Sequence, residues 1–485
     1  MVTYFNFTDL FPVNGEVFIQ KMIRTILYIA IFLPLTVFGE GLNIEVNLKQ
    51  AAGKEIFLAQ YYLGNIYAKD TIHLDEKGYG IFKADSLMPQ GLYKIYLDQD
   101  NHFDIILGSR QKFSISNDSF RIENIRIDGS EETKAFAEYA LFLKKLQEEN
   151  HAIKEKIKKA DEKDKPVLHQ QLNNLDDKLR NYRDNLESDL PNSFLIKFVR
   201  ANYVPSLDES SLPPEVPGND SLLTSARYYY QREHFWDYFD YTDERFLYTP
   251  FFKPKLETWF NKVLYQNYDS VKNYVMDFLE EVKSSARIFQ FATSFFLNSS
   301  INSNIMGMDA LFVDIARKYY LSGEAFWATE ESMEKIKENL LFLENNLMGM
   351  RAPDLTLESI EGEFINLHQI EAPYTIVLIY EPDCSHCKEF VPDLYSKVFQ
   401  VFNKKGLEVY AIYSMDSKKE WISFIEEHGL NGWTNVWDEK HKSRFKILYD
   451  ARYTPGIYLL DHNKIIVGKK MSVDQINNFL EFNLK

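Results

Sequence analysis

Cysteine is scarce in this sequence, and its scarcity excludes several classes of protein. The chain of 485 residues has two cysteines, so it can form at most one internal disulfide. A small scaffold held by several disulfides is therefore excluded, and so is a zinc site made of four cysteines from one chain. Both cysteines lie in the stretch Cys384-Ser385-His386-Cys387, so any cysteine chemistry must take place there.

Basic residues are also fewer than acidic ones. The chain has 55 Lys and Arg against 71 Asp and Glu, which gives a net charge of −16. Because nucleic-acid-binding proteins usually present a basic face, this balance argues against nucleic acid as a partner. The hydrophobic share of 45% and the charged share of 26% exclude a disordered or collagen-like chain. At roughly 150 residues per domain, the length predicts about three domains.

The apolar run near the N-terminus is too short to cross a membrane. Residues 26–38 fall below the roughly 20 residues that a spanning helix needs, but they match the core of a secretory signal peptide. Lys21 and Arg24 supply the positive flank, and cleavage is expected before Glu40. We therefore predict a cleaved export signal over residues 1–39, with an uncleaved anchor or a buried core helix as the alternatives.

The first residues fit a signal peptide poorly. Asp9 and Glu16 are acidic where a basic segment belongs, so we predict that the natural start is Met22. No cysteine lies near the cleavage position, which excludes a lipoprotein anchor there. The mature protein is expected in the periplasm or cell envelope, without a lipid anchor.

Residues 40–129 alternate apolar and polar side chains with a period of two. Such alternation indicates half-buried strands, and turn signals separate them. The predicted strands cover residues 42–48, 56–62, 79–83, 92–97, 103–107, 112–116 and 120–127. They predict a small, antiparallel β-sandwich-like domain, in which no catalytic constellation is visible.

Residues 130–347 carry a helical pattern instead. Ser130 is a predicted N-cap, and leucines with one tyrosine form a heptad seam over residues 168–186. We interpret this seam as one side of a long antiparallel helical hairpin, and an interchain coiled coil that makes a homodimer is the alternative. The aromatic stretch 228–239 is expected to fill the helical core, although a ligand cleft or peptide-binding surface is also consistent with it.

Residues 348–485 alternate strands and helices in the order β-α-β-α-β-β-α. A continuous apolar strand over residues 374–380 leads directly into the two cysteines, as expected for a strand covered on both faces. The sequence as a whole thus predicts a multidomain α+β protein with a β-sandwich-like domain, an all-α domain and a C-terminal α/β domain.

The C-terminal part resembles the thioredoxin superfamily and, within it, the exported TlpA-like thiol–disulfide oxidoreductases. The resemblance is carried by residues 351–357 as an entry strand, by the Cys-x-x-Cys stretch after the apolar strand, by Pro392 and by Thr454-Pro455. It covers about 135 residues and implies a thioredoxin fold. The two preceding domains are loosely similar to those found before thioredoxin-like domains in other exported bacterial proteins.

The spacing of the two cysteines points to thiol–disulfide chemistry. Two intervening residues place both thiols in the first turn of a helix, close enough to form a disulfide. The helix N-terminus stabilises a thiolate at Cys384, which predicts Cys384 as the nucleophile and Cys387 as the resolving thiol. A protonated His386 would favour that thiolate further. The resemblance implies that Pro455 is cis, which exposes the backbone of Thr454 to an extended substrate.

The sequence departs from the family pattern at positions that matter for proton transfer. Thioredoxin's buried acid falls at Leu378, and the TlpA-like active-site glutamate falls at Phe390. Either Glu381 or Glu389 replaces this proton acceptor, or both are solvated surface acids. The family's usual tryptophan before the first cysteine is Asp383 here, and these acids would raise the thiol pKa.

We therefore predict an exported enzyme of cell redox homeostasis that acts on protein thiols and disulfides. Its redox-active centre would be the Cys384–Cys387 disulfide, with no further cofactor and no metal. A membrane thiol is the expected electron donor if the enzyme is a reductant, and reduction, oxidation and isomerisation stay open. A thiol peroxidase is disfavoured because Glu381 stands where that family has a threonine. The alternative is a periplasmic binding protein whose thioredoxin-like domain is redox-inert.

Overall fold

The computed structural model describes residues 41–203, 205 and 207–484. The predicted export signal and the predicted start at Met22 lie outside the described residues. Within this described part of the chain, no helix combines the length and the apolar character needed to cross a membrane. The predicted fold class is confirmed, because β-sheets come first, helices follow and a mixed α/β sheet ends the chain.

The N-terminal part consists of two four-stranded sheets, with strand orders β4-β1-β7-β8 and β3-β2-β5-β6. Neighbouring strands are antiparallel except β1 and β7, which are parallel. Alternate side chains such as Ile44 and Val46 point into a shared apolar core, as the period of two predicts. The strands are β1 (Asn43–Asn47), β2 (Glu55–Tyr62), β3 (Asn65–His73), β4 (Tyr79–Lys83), β5 (Gly91–Tyr96), β6 (His102–Leu107), β7 (Lys112–Ser116) and β8 (Arg126–Asp128).

Two details of this part differ from the sequence prediction. Strand β3 was not predicted, because it is an edge strand whose side chains are mostly exposed and so carry no apolar alternation. The predicted strand over residues 120–127 is instead a 3₁₀ turn, Ile122–Asn124, followed by the short β8. Phe120 has a φ of 54°, a left-handed conformation that a continuous strand cannot contain.

The central part is helical and begins with the predicted hairpin. Ser130 caps α1 by accepting a hydrogen bond from the backbone N–H of Thr133. Phe142 of α1 stacks on Tyr182 of α2, with ring centroids 4.2 Å apart. The heptad seam of α2 therefore packs against α1 of the same chain. The helices are α1 (Glu131–Lys159), α2 (Lys165–Asp189), α3 (Phe194–Arg200), α4 (Asp220–Glu233), α5 (Phe252–Thr258), α6 (Tyr268–Glu281), α7 (Ala286–Ile301), α8 (Asp309–Ile315) and α9 (Glu330–Leu343).

The aromatic stretch 228–239 contributes only partly to the helical core. Phe239 is buried and stacks on Phe246, with ring centroids 4.3 Å apart. Tyr229 and Tyr238, by contrast, are 51% and 42% exposed. Core filling therefore accounts for one end of this stretch, and part of its aromatic surface faces solvent.

The C-terminal part is a seven-stranded sheet with the strand order β10-β9-β13-β12-β11-β14-β15. The predicted element order missed β10 and β13, which have three and four residues and are too short to show a period in the sequence. The entry strand expected over residues 351–357 begins only at Thr356, as β9. The elements are β9 (Thr356–Ser359), β10 (Phe364–Asn366), β11 (Tyr374–Tyr380), α10 (Ser385–Asp393), α11 (Gln400–Phe402), β12 (Leu407–Tyr413), α12 (Lys418–His428), β13 (Thr434–Trp437), α13 (Phe445–Leu448), β14 (Gly456–Asp461), β15 (Ile466–Lys469) and α14 (Val473–Asn483).

The chain forms two compact units. One contains the N-terminal sheets and the helices up to Leu264, together with Glu281–Ile288. The other contains Tyr265–Glu280 and the chain from Phe289 onward, so helices α8 and α9 belong to the same unit as the C-terminal sheet. The domain boundaries proposed from the sequence, at residues 129 and 347, stay predictions.

Candidate active site

The two cysteines lie where a central strand of the C-terminal sheet ends and a helix begins. Strand β11 is buried almost throughout and pairs with β12 in parallel and with β14 in antiparallel orientation. Cys384 is the N-cap of α10, and its carbonyl accepts the hydrogen bond from the N–H of Lys388. The rigid sheet therefore fixes the position of Cys384 at the helix N-terminus, where free N–H groups favour an anion.

Cys384 is the accessible thiol of the pair. It is partly buried, and its Sγ donates to the carbonyl oxygen of Thr454 at 3.4 Å. The Thr454–Pro455 peptide bond is cis. Burial raises the pKa of the Cys384 thiol, but hydrogen bonds from the backbone N–H of Cys387, from the Thr454 side chain and from the backbone of His386 outweigh it. The net direction of the Cys384 pKa is therefore downward.

Cys387 has the opposite environment. Its side chain is 0% exposed, in an apolar core cluster that includes Leu378 and Tyr380. Burial raises the pKa of the Cys387 thiol to about 12, and the neighbouring Cys384 raises it too, while the backbone N–H of Glu381 acts in the other direction. Both cysteines are free thiols in the structure. One thiol is thus ready to ionise and the other is held protonated.

The charged residues near the pair are divided between surface and interior. His386, Asp383 and Glu389 have exposed side chains. Glu381 is partly buried, and its carboxylate accepts a hydrogen bond from the Ser414 hydroxyl at 3.0 Å. Burial and hydrogen bonds, rather than the acids, make the largest contributions to the Cys384 pKa. Because Ser414 binds the Glu381 carboxylate while Glu389 is exposed, Glu381 is the one of the two candidate proton acceptors whose position the fold fixes.

The interior side of the pair is mostly apolar. Leu378 is 0% exposed, and Phe390 packs against the same cluster. Tyr380 lies on the face of β11 that carries Leu378, and burial raises the pKa of its hydroxyl. Sequence reasoning missed Tyr380 and Ser414. The signal for Tyr380 was its spacing of two residues from Leu378, which places both on one face.

Helix α10 contains Pro392, as the resemblance implied. Proline has no N–H to donate, and the helix continues through a π-helical segment, Leu394–Phe399, into α11. Within the part of the chain that the structure describes, no three His, Cys, Asp or Glu side chains are grouped so as to hold a metal ion.

Comparison with known proteins assigns families to two segments. Residues 348–469 match the family model described as the AhpC/TSA family. Residues 202–346 match a domain of unknown function, DUF5106. No curated protein matches the chain.

Several solved structures match part of this chain. A domain of a possible thiol-disulfide isomerase from Cytophaga hutchinsonii is 35% identical, with 28% of this chain and 92% of that one covered and a TM-score of 0.27. The thioredoxin domain of a thiol-disulfide oxidoreductase from Bacteroides vulgatus is 24% identical, with coverages of 28% and 98% and a TM-score of 0.27. A thioredoxin-like protein from Bacteroides caccae is 20% identical, with coverages of 58% and 98% and a TM-score of 0.45.

The difference between the two thiols predicts selective alkylation. Because the thiolate is the reacting form, and the pKa of Cys384 is lowered while that of Cys387 is raised to about 12, iodoacetamide should modify Cys384 alone near pH 7. The rate should rise with pH and reach its midpoint below that of a free cysteine, because the pKa of Cys384 is lowered. Mass spectrometry of the reduced protein checks this, with Cys384→Ser as the control. First modification at Cys387, or a midpoint above that of free cysteine, would contradict it.

Proposed function

We propose, from the membership of residues 348–469 in the thioredoxin-like AhpC/TSA family, that the chain is a thiol–disulfide oxidoreductase acting on proteins. The observation that carries the proposal is the contrast between Cys384, partly accessible with a lowered pKa, and Cys387, buried with a raised pKa. A structural disulfide does not need two thiols that differ in accessibility and pKa. A nucleophilic thiol and a resolving thiol do need this difference, because they act in successive steps.

In the reducing direction, the reaction has two steps. The Cys384 thiolate attacks a substrate disulfide, so a Cys384–substrate bond forms, the substrate S–S bond breaks and the leaving thiolate takes up a proton. Cys387 then loses its proton and attacks the sulfur of Cys384, which releases the second substrate thiol. Two electrons and two protons pass from the dithiol to the substrate, and the Cys384–Cys387 disulfide remains. The same steps in reverse oxidise a substrate dithiol.

The cis Thr454–Pro455 loop supports a polypeptide as the substrate. The Thr454 carbonyl lies 3.4 Å from the nucleophilic sulfur, so its backbone is available to an extended chain bonded to Cys384. A membrane thiol is the electron donor that we propose for a reductive role. His386 has an exposed side chain, so its contribution to Cys384 comes through its backbone N–H.

The predicted export signal leads us to propose that this chemistry takes place in the periplasm. The short apolar run at residues 26–38, with its positive flank, supports that location. The expected result is that N-terminal sequencing of the protein from a periplasmic fraction of its native host begins at Glu40. Recovery of the chain from the cytoplasm with residues 22–39 still attached would contradict the location but leave the chemistry unaffected.

Substitution of the resolving thiol should trap the reaction halfway. In Cys387→Ser the mixed disulfide between Cys384 and a substrate protein has no internal thiol to release it. When the native host produces Cys387→Ser, non-reducing gel electrophoresis of its extract should show adducts between this variant and substrate proteins, and dithiothreitol should remove them. Cys384→Ser is the matched control and should give none. The absence of adducts with Cys387→Ser, together with equal inactivity of Cys384→Ser and the unsubstituted protein towards insulin, favours a redox-inert binding protein.

Glu381 is our candidate for the group that takes the proton from Cys387. Its backbone N–H interacts with the Cys387 thiol, and Ser414 holds its carboxylate, whereas Glu389 is exposed. Glu381→Gln should slow release of the mixed disulfide about tenfold near pH 7 and move the pH dependence of that step upward, because hydroxide must then remove the proton. Stopped-flow measurement of the resolution step checks this.

Glu389→Gln removes the same charge from the same region and should behave like the unsubstituted protein. If both variants slow resolution equally, or if Glu381→Gln leaves the pH profile unchanged, Glu381 is not the proton acceptor.

A further inference from the structure

A cavity of about 750 Å³ opens beside the cis-proline loop. Pro455 and Gly456 line one side of it, and Lys335, Glu338 and Asn339 of helix α9 line the other. We propose that this cavity receives the polypeptide segment next to the substrate cysteine, and that α9 thereby helps to select the substrate. The inference rests on the function proposed above and adds a substrate-binding role for the helical segment that precedes the thioredoxin-like domain.

The cavity is continuous with the position of the nucleophile. The carbonyl of Thr454 lies 3.4 Å from Cys384 Sγ, and Pro455, the next residue, already belongs to the cavity wall. Tyr453, on the other side of Thr454, also lines the cavity and is 70% exposed. A substrate chain that is bonded to Cys384 and lies along Thr454 must therefore pass the mouth of this cavity.

Arg452 links helix α9 to the cis-proline loop by hydrogen bonds. Its Nε donates to Asp450 at 2.6 Å, and its guanidinium donates to the side-chain oxygen of Asn339 at 2.8 Å. The same guanidinium lies over the ring of Phe342, 4.5 Å from the centroid. These contacts use the planar fork and the stacking surface of arginine together. The helical wall is thus held at a fixed distance from the loop.

A buried ion pair also joins the helical side of the cavity to the C-terminal sheet. Lys469 at the end of β15 is 3% exposed, and its ammonium donates to Asp309 at the start of α8. It also donates to the carbonyl and side-chain oxygens of Asn346, each at 3.0 Å. A buried charge with all its donors engaged is stable only while its partners stay in place. The cavity wall is therefore part of the folded unit.

The size and charge of the cavity fit a polypeptide. Its volume lies in the range that holds a ligand of several hundred daltons, or a few amino-acid side chains. Its wall carries both signs of charge, and two exposed members, Glu338 and Lys470, make no ion pair with any residue that the structure describes. These two charged groups can therefore bind the backbone amides of a substrate polypeptide and its side chains of either charge. A small aromatic disulfide, by contrast, reaches Cys384 without filling this space.

The test fills the cavity from the α9 side and compares two substrates. Glu338→Trp places an indole at the cavity wall, while Glu334→Trp makes the same substitution on α9 at an exposed position outside it. Dithiothreitol-dependent reduction of insulin measures a polypeptide substrate. The single-turnover rate at which the pre-reduced protein, freed of dithiothreitol, reduces dithiobis(nitrobenzoate) measures a small one.

We expect Glu338→Trp to lower kcat/KM for insulin about tenfold, mainly through KM, and to leave the small disulfide unaffected. Glu334→Trp should match the unsubstituted protein with both substrates. A second matched pair, Lys335→Trp inside the cavity and Lys337→Trp outside it, guards against a folding defect in one variant.

The two proposals fail in different ways. If the unsubstituted protein reduces neither substrate, the oxidoreductase assignment fails and the cavity proposal falls with it. If the unsubstituted protein reduces both and the inner and outer variants of each pair behave alike, or if the inner variants slow both substrates equally, only the substrate role of the cavity is overturned.

Discussion

The site depends on the position of the first turn of helix α10, which begins shortly after the end of the buried strand β11. Because β11 is held on both sides by β12 and β14, the first turn of α10 has a fixed position. Cys384 at the N-cap meets backbone N–H groups that favour its thiolate, and Cys387 one turn later is forced into the core. A single backbone feature thus produces two thiols of opposite character.

This placement also creates the central chemical difficulty of the site. Cys387 must lose its proton to complete the reaction, yet its surroundings are apolar, and Leu378 stands where the resemblance places thioredoxin's buried acid. The core that excludes water from the resolving thiol also removes the usual route for its proton. Glu381, whose carboxylate accepts a hydrogen bond from Ser414, is the group that we propose to take up this proton.

Local sequence signals predicted much of this structure, and nonlocal contacts account for what they missed. The alternation in β1, the Ser130 cap and the heptad seam of α2 are properties of short segments, so they could be identified without a fold. Strand β3 is specified by its pairing with β2 and not by an apolar pattern, and its one local signal is the glycine of the two-residue turn Leu63-Gly64. The thiol pair was visible from its spacing. Ser414 and Asn339 enter the region only through tertiary packing, and their own sequence surroundings give no indication of it.

The proposed function requires Cys384 and Cys387 to form a reversible dithiol–disulfide couple. The most direct measurement is the redox equilibrium of the full-length protein against glutathione buffers, with the disulfide fraction read by mass spectrometry. We expect a two-electron transition that is reached from both directions, with a potential of about −270 mV for a reductant or between about −180 and −120 mV for an isomerase or oxidant. A pair that never forms a disulfide, or one that no thiol reduces in the folded protein, would contradict it.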